Sequence, residues 1–142
     1  MTNTESNKKI VSEFIEALFS RGDLAAVDSM LSDDFLNHDP PFGVTADREG
    51  MRAAGATFRT AFSDWRSDLD FLIAEDDLVT EKFTAHGVND GEIMGMAPTG
   101  REVSLRGINI FRVRDGRITE RWGRLDDLGF LQQLGVVPGL DH

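Results

Sequence analysis

"GINIFRVRDGRITERWGRLDDLGFLQQLG", residues Gly107 to Gly135, holds two strands, the turn between them and the start of a helix. Asp115-Gly116 is a two-residue hairpin signal, because both central positions of the tight turn that suits strand twist must accept positive φ. The flanking runs alternate with a period of two, which predicts one long strand from Arg101 to Arg114 and its antiparallel partner from Arg117 to Leu125. With Arg114 opposite Arg117, Phe111 is expected to face Glu120, Asn109 to face Trp122, Gly107 to face Arg124 and Leu105 to face Asp126. That register gathers Asn109, Trp122, Arg124 and Asp126 into one concavity. The opposite face carries Ile108, Ile110 and Leu125 at its centre, with Arg112, Arg114, Arg117 and Arg121 toward the turn, and reads as a docking surface for a second copy.

Upstream, Leu78 to His86 alternates as another strand, and so does the segment in which Trp65, Ser67, Leu69, Phe71 and Ile73 are expected on the buried face. Before Ser63 the period lengthens to that of a helix. Ile10, Val11, Phe14, Ile15, Leu18 and Phe19 form one apolar stripe that Gly22 can close; Leu24 to Leu31 follows, with Asp23 as cap; Asp47 to Ala61 makes a third helix. Helices followed by antiparallel strands are the order of an α+β domain whose helices cover one face of a curved antiparallel sheet. A chain of 142 residues suits one such domain over residues 1–142.

The formal net charge of −10 repels phosphate backbones and anionic lipid, so neither nucleic acid nor membrane is an expected partner. The absence of cysteine excludes disulfides, thiolate metal sites and thiol nucleophiles, and the absence of tyrosine excludes a phenolic acid. The polar start "MTNTESNKK" and the lack of a membrane-length apolar run lead to an expected cytoplasmic location. His38, His86 and His142 have no metal-ligand spacing, "GVNDGEIMGMAPTG" lacks the setting of a phosphate loop, and there is no G-x-S-x-G, so no metal or cofactor is expected.

Each candidate has a plain structural alternative. Asp126 and Asp127 stand together where strand gives way to helix, and capping needs only one of them; Asp127 is the better cap by position, leaving Asp126 free for the pocket. His38 in "FLNHDPPFG" could be an ordinary loop histidine, and Trp65 and Trp122 could be core filler. Met94 and Met96 could form an apolar lid.

Several segments together resemble the SnoaL-like polyketide cyclase (ester cyclase) family: "FLNHDP", "AFSDWRSDLDFLIAEDDLVTEKFTAHG", "GEIMGMAPTGREVSLRGINIFRVRDGRITERW" and "DLGFLQQLG". The resemblance implies a cone-shaped α+β barrel. It also implies a general acid/base aspartate four residues after the last-strand tryptophan, which is Asp126, and a pocket histidine, which is His38. Intramolecular aldol closure of an aromatic polyketide ester would follow, without a cofactor. Trp65, Phe83, Asn109, Phe111, Trp122 and Arg124 would bind the substrate, and the protein would pair as a homodimer or higher homo-oligomer. Asn89 stands where many ester cyclases carry a histidine. Two alternatives stay open: a hydroxylating role on a polyketide, and a binding module without catalysis.

Overall fold

The computed structural model describes residues 3–138; His142 lies outside them. Helix α1 (Asn3–Ile15) runs into one wide turn over Glu16–Ser20, which Gly22 ends at φ 69°, and α2 (Ala25–Met30) follows. Asp23, expected as the cap, stands one residue before the N-cap Leu24, and its carboxylate accepts from the Ala25 N–H at 3.2 Å. Helix α3 (Arg48–Ala61) starts at Asp47, whose carboxylate accepts from the Gly50 N–H at 3.0 Å. The strands are β1 (Leu31–Asn37), β2 (Phe62–Glu75), β3 (Leu78–Asn89), β4 (Glu102–Arg114) and β5 (Arg117–Leu125), and α4 (Asp127–Gln133) is the last element among the described residues.

The expected α+β architecture is present, with helices covering a curved, unclosed sheet ordered β1-β5-β4-β3-β2. One strand was not anticipated. Leu31–Asn37 pairs parallel with β5, so the sheet is mixed rather than wholly antiparallel. Its only apolar positions are Leu31, Phe35 and Leu36 among Ser32, Asp33 and Asp34, too few for a period to register.

The Asp115-Gly116 turn forms as expected, at φ 51° and 78°, with Arg114 opposite Arg117. Three residues further on, the expected register fails. Val113 faces Ile118 but Arg112 faces Glu120, leaving Thr119 as an extra residue in β5. Because side chains alternate, one extra residue turns every later one to the other face. Phe111 therefore faces Arg121, Asn109 faces Gly123 and Ile110 faces Trp122, so Arg121 and Leu125 turn inward and Trp122 and Arg124 outward. A second bulge at Asp70 does the same in β2: Leu69 faces Phe83 but Phe71 faces Lys82. Leu72 and Ala74 then pack on the core, while Phe71 and Ile73, expected inside, are exposed, as is Leu69 ahead of the bulge.

Two apolar clusters fill the space between helices and sheet. Phe14, Leu18, Val27, Val79, Phe111 and Ile118 form one, with Phe14 edge-on to Phe111 at 6.3 Å. The other gathers Phe58, Phe62, Trp65, Phe83, Leu105 and Phe130, with Phe58 stacked on Trp65 at 4.6 Å. Of the two methionines read as a lid, Met94 is exposed and borders a depression with Pro41 and Phe42, while Met96 packs on the second cluster. Met94-Gly95 forms a tight turn at φ 50° and 77°, which pins Ile93 and Met96 against the second cluster. Asn89, fully buried, ties this loop down: its amide donates to the Ala61 and Gly91 carbonyls, and its oxygen accepts from the Thr99 N–H and hydroxyl.

Candidate functional site

Where the two clusters meet, the inner sheet face, α1 and α3 enclose a hollow walled by Phe19, Met51, Phe58, Phe83 and Phe111. It leaves about 50 Å³ to the centre of a water-sized sphere, room for a few waters. One chain of polar side chains crosses this apolar wall. Arg121 donates to Asn109 Oδ1 through Nε at 3.0 Å and Nη2 at 2.7 Å, to Asn37 Oδ1 at 3.1 Å and to the Asp39 carbonyl at 2.7 Å. Asn109 Nδ2 in turn donates to Glu81 Oε2 at 3.2 Å. A guanidinium can only donate and a carboxylate accepts, so the Asn109 amide has one workable orientation between them. Asn37, Glu81, Asn109 and Arg121 are each no more than 6% exposed.

Glu81 has spare capacity. Among the described residues, its Oε1 and the Trp65 Nε1 are the buried side-chain polar atoms that meet no partner, and both residues line the hollow. Burial pushes the Glu81 carboxyl up to about 7, against the Asn109 hydrogen bond and the Arg121 charge, with the Asp70 charge adding to the rise. Burial lowers the Arg121 pKa, against the charges of Asp39 and Glu81, but a guanidinium stays charged at any working pH. A carboxyl near 7 is divided between acid and base at neutral pH and can serve as both.

Of the residues expected at the site, Trp65, Phe83, Asn109 and Phe111 line the hollow, and His38, Trp122, Arg124 and Asp126 do not. The Thr119 bulge accounts for Trp122 and Arg124. Trp122 lies flat against His38 on the outer face, ring centres 4.6 Å apart and 6° from parallel. His38 Nε2 sits 2.8 Å from Glu120, whose carboxyl is held below its ordinary value by that contact first and by Arg112 second. Arg124 pairs with Asp39 at 2.8 Å, and both border a second depression beside the hollow. Asp126 was expected to face a dry hollow with Asp127 as the cap; instead Asp126 caps α4, accepting from the Gly129 N–H at 3.0 Å, with its side chain 42% exposed and Arg106 3.5 Å away. Asp127 sits on that second depression, shared with Asp39, Phe42 and Gly123, which meets the hollow at Pro41, Arg121 and Leu125. His86 is on the outer face, 2.6 Å from Asp68.

Sequence reasoning missed Glu81, Arg121 and Asn37. Glu81 had a signal: it is the lone acid on the inward face Val79, Glu81, Phe83, Ala85. Arg121 had none, because its direction depends on the bulge.

Helices closed over a curved open sheet, around an apolar hollow with a few convergent polar groups, define a small-molecule pocket protein of the cone-shaped α+β class. The chain belongs to the SnoaL-like polyketide cyclase family, whose model matches residues 9–134. Among solved structures it is similar to TsrD from Streptomyces laurentii, at 30% identity and TM-score 0.84 over 96% of this chain and 100% of that one. IdmH from Streptomyces antibioticus, described as a proposed polyketide cyclase, is 31% identical at TM-score 0.79, covering 92% of this chain and 99% of its own. AclR from Streptomyces galilaeus, described as a proposed hydroxylase, is 26% identical at TM-score 0.86, covering 98% and 91%. No curated protein matches the chain. No helix among the described residues is long and apolar enough to cross a membrane.

Proposed function

We propose that this protein closes a ring in an aromatic polyketide ester by intramolecular aldol addition, with Glu81 carrying the proton. The observation that supports this is the free Glu81 Oε1 on the wall of an apolar hollow, its carboxyl near 7 and its other oxygen held by Asn109. Glu81 takes a proton from a carbon flanked by two carbonyls. The enolate carbon attacks a second carbonyl of the same molecule, forming the C–C bond, and the new alkoxide recovers the proton from Glu81. No atom is gained or lost, and the chemistry needs only an acidified carbon, one carboxyl and a folded substrate. The Arg121 charge, scarcely screened in the hollow, stabilises the enolate. A fused ring system exceeds the present space, so it enters from the Asp127 depression by displacing Pro41 and Phe42; Phe42 already holds a left-handed φ of 53°.

The family resemblance points instead to Asp126, and two variants separate the carboxyls. With an anthracycline-type methyl ester as substrate, Glu81→Gln is expected to lose at least about a hundredfold in kcat, and Asp126→Asn to stay within several-fold. The reverse ranking returns the role to Asp126. A hydroxylating role is the second reading, supported by the likeness to AclR. Aldol closure leaves product mass equal to substrate mass, whereas oxygenation adds an oxygen, so mass spectrometry of the product decides between them. The outer sheet face, with Ile108, Ile110 and Trp122, is proposed to pair two copies.

A further inference from the structure

Trp65 is 2% exposed, and its ring is fixed on three sides. One face stacks on Phe58 at 4.6 Å, and Phe62 lies tilted against the ring at 4.8 Å. The Cε3 corner abuts Gly87, where an added β-carbon would come within 3.0 Å. The N–H lies across the indole from Cε3, and Nε1 meets no partner. A buried N–H without an acceptor is destabilising, a penalty that an aromatic side chain lacking the N–H would avoid.

The position of this donor relative to Glu81 is set by the sheet. Trp65 lies beside Gly87, and Glu81 is six residues away along β3, on the order of 20 Å of strand at about 3.3 Å per residue. The indole and the carboxylate therefore line the hollow at positions well separated along β3. Their needs are complementary: Trp65 can only donate, and the Glu81 oxygen takes a proton.

We infer that Trp65 Nε1 is a distal carbonyl anchor, and that the hollow selects elongated ring-fused ketones with a hydrogen-bond acceptor at the end remote from the carbon deprotonated at Glu81. The inference rests on the reading of Glu81 as the base, and it narrows the substrate class. Short carbon acids would meet Glu81 alone, whereas a molecule spanning two or more fused rings with a remote carbonyl would also relieve the indole. The anchor fixes which carbon is presented to Glu81, so it acts on specificity as well as affinity.

Two probes of different reach test this: 2-tetralone, a bicyclic carbon acid, and the same ketone carrying a methyl ester on the aromatic ring, para to the reacting methylene. Two readouts are taken in D₂O/H₂O mixtures: exchange of the methylene hydrogen, and the indole N–H resonances of the ¹⁵N-labelled protein, with Trp122→Phe identifying the Trp65 signal. The ester is expected to raise kcat/KM for exchange roughly five- to tenfold over the parent ketone, the worth of one hydrogen bond. It should also shift the Trp65 N–H resonance, and Trp65→Phe, which keeps the stack on Phe58, should erase the gain. An equal ester gain in Trp65→Phe, or a Trp65 N–H signal unmoved by the saturating ester, overturns the anchor. If the ester shifts the signal and binds more tightly but neither ketone exchanges, the anchor stands and the reading of Glu81 as base fails.

Discussion

Gly123 lies beside the Arg121 guanidinium, two residues along the same face of β5. A β-carbon at 123 would collide with that guanidinium and come within 2.8 Å of Asn109 Oδ1. The guanidinium cannot simply swing away, because four hydrogen bonds hold it to Asn109, Asn37 and the Asp39 carbonyl. Gly123→Ala is therefore expected to destabilise the fold by about 1–3 kcal/mol, as overpacking against a fixed neighbour does. Urea denaturation measures this, and an unchanged midpoint would show that Arg121 is loosely held.

Glu81 makes stability depend on pH in a direction opposite to that of a salt-bridged acid. Its ordinary value is 4.5 and its folded value about 7, so between them the folded chain binds more protons than the unfolded one. The stabilising contribution of this group is complete below about 4.5 and is lost as pH rises through about 7. The shift corresponds to roughly 3 kcal/mol. Glu81→Gln keeps the shape without the charge, so it should match the parent near pH 5 and exceed it by about 1–3 kcal/mol at pH 8. Comparing variant with parent at each pH cancels the carboxyls held low by hydrogen bonds, such as Asp39, Asp70 and Asp77. A variant less stable at pH 8 would contradict the burial argument. Greater stability with lost turnover would mark Glu81 as a residue retained for chemistry.

How far the sequence could be read depended on which features are local. Hairpin chemistry at Asp115-Gly116, the third helix up to Ala61 and the helical stripe through Phe14 and Leu18 are set by neighbours in the chain, and all are found where expected. The half of the site on β3 and β4, with Phe83, Asn109 and Phe111, follows from simple alternation. The half on β5 does not, because the face Arg121 takes depends on Thr119 being left out of the ladder, and Ile-Thr-Glu-Arg contains no glycine to mark a bulge. The resulting inversion swapped two residues between faces: Arg121, expected outside, lines the hollow, and Trp122, expected inside, stacks on His38. The cap moved from Asp127 to Asp126 for a similar reason, since which acid meets the first free N–H groups of α4 depends on where β5 lets go of the sheet.

Asp126 as a cap makes a prediction of its own. Its carboxylate accepts from the Gly129 N–H at 3.0 Å, and its contact with Arg106 at 3.5 Å is solvent-exposed. Removing a capping acceptor costs about 1 kcal/mol, and an exposed ion pair adds little. Asp126→Ala should lower the melting temperature by a few degrees, while Asp126→Asn, which keeps an acceptor oxygen, should restore most of it. If the asparagine variant melts normally but loses turnover by orders of magnitude, the carboxylate has a chemical task that capping does not describe.

The outer sheet face carries the remaining expectation, pairing of two copies. The bulge changed its composition: Trp122 replaces Arg121, so Ile110 and Trp122 face one another beside His38, and Phe71, Lys82 and Ile108 form the adjacent row. The cationic end expected there is largely neutralised within the chain, with Arg112 and Arg114 both on Asp77 at 2.7 and 3.1 Å. What remains is an apolar centre in which Phe71, Ile73 and Ile108 are 48%, 59% and 47% exposed. Two copies with a formal net charge of −10 each repel at long range, so apolar contact must drive pairing, and added salt should strengthen it by screening. Ile108→Glu places an acid in the centre of that face without touching the core. Light scattering is expected to give twice the chain mass for the parent and the single-chain mass for the variant, with the melting transition still cooperative. A parent that stays monomeric at micromolar concentration in high salt would leave this face without the proposed partner.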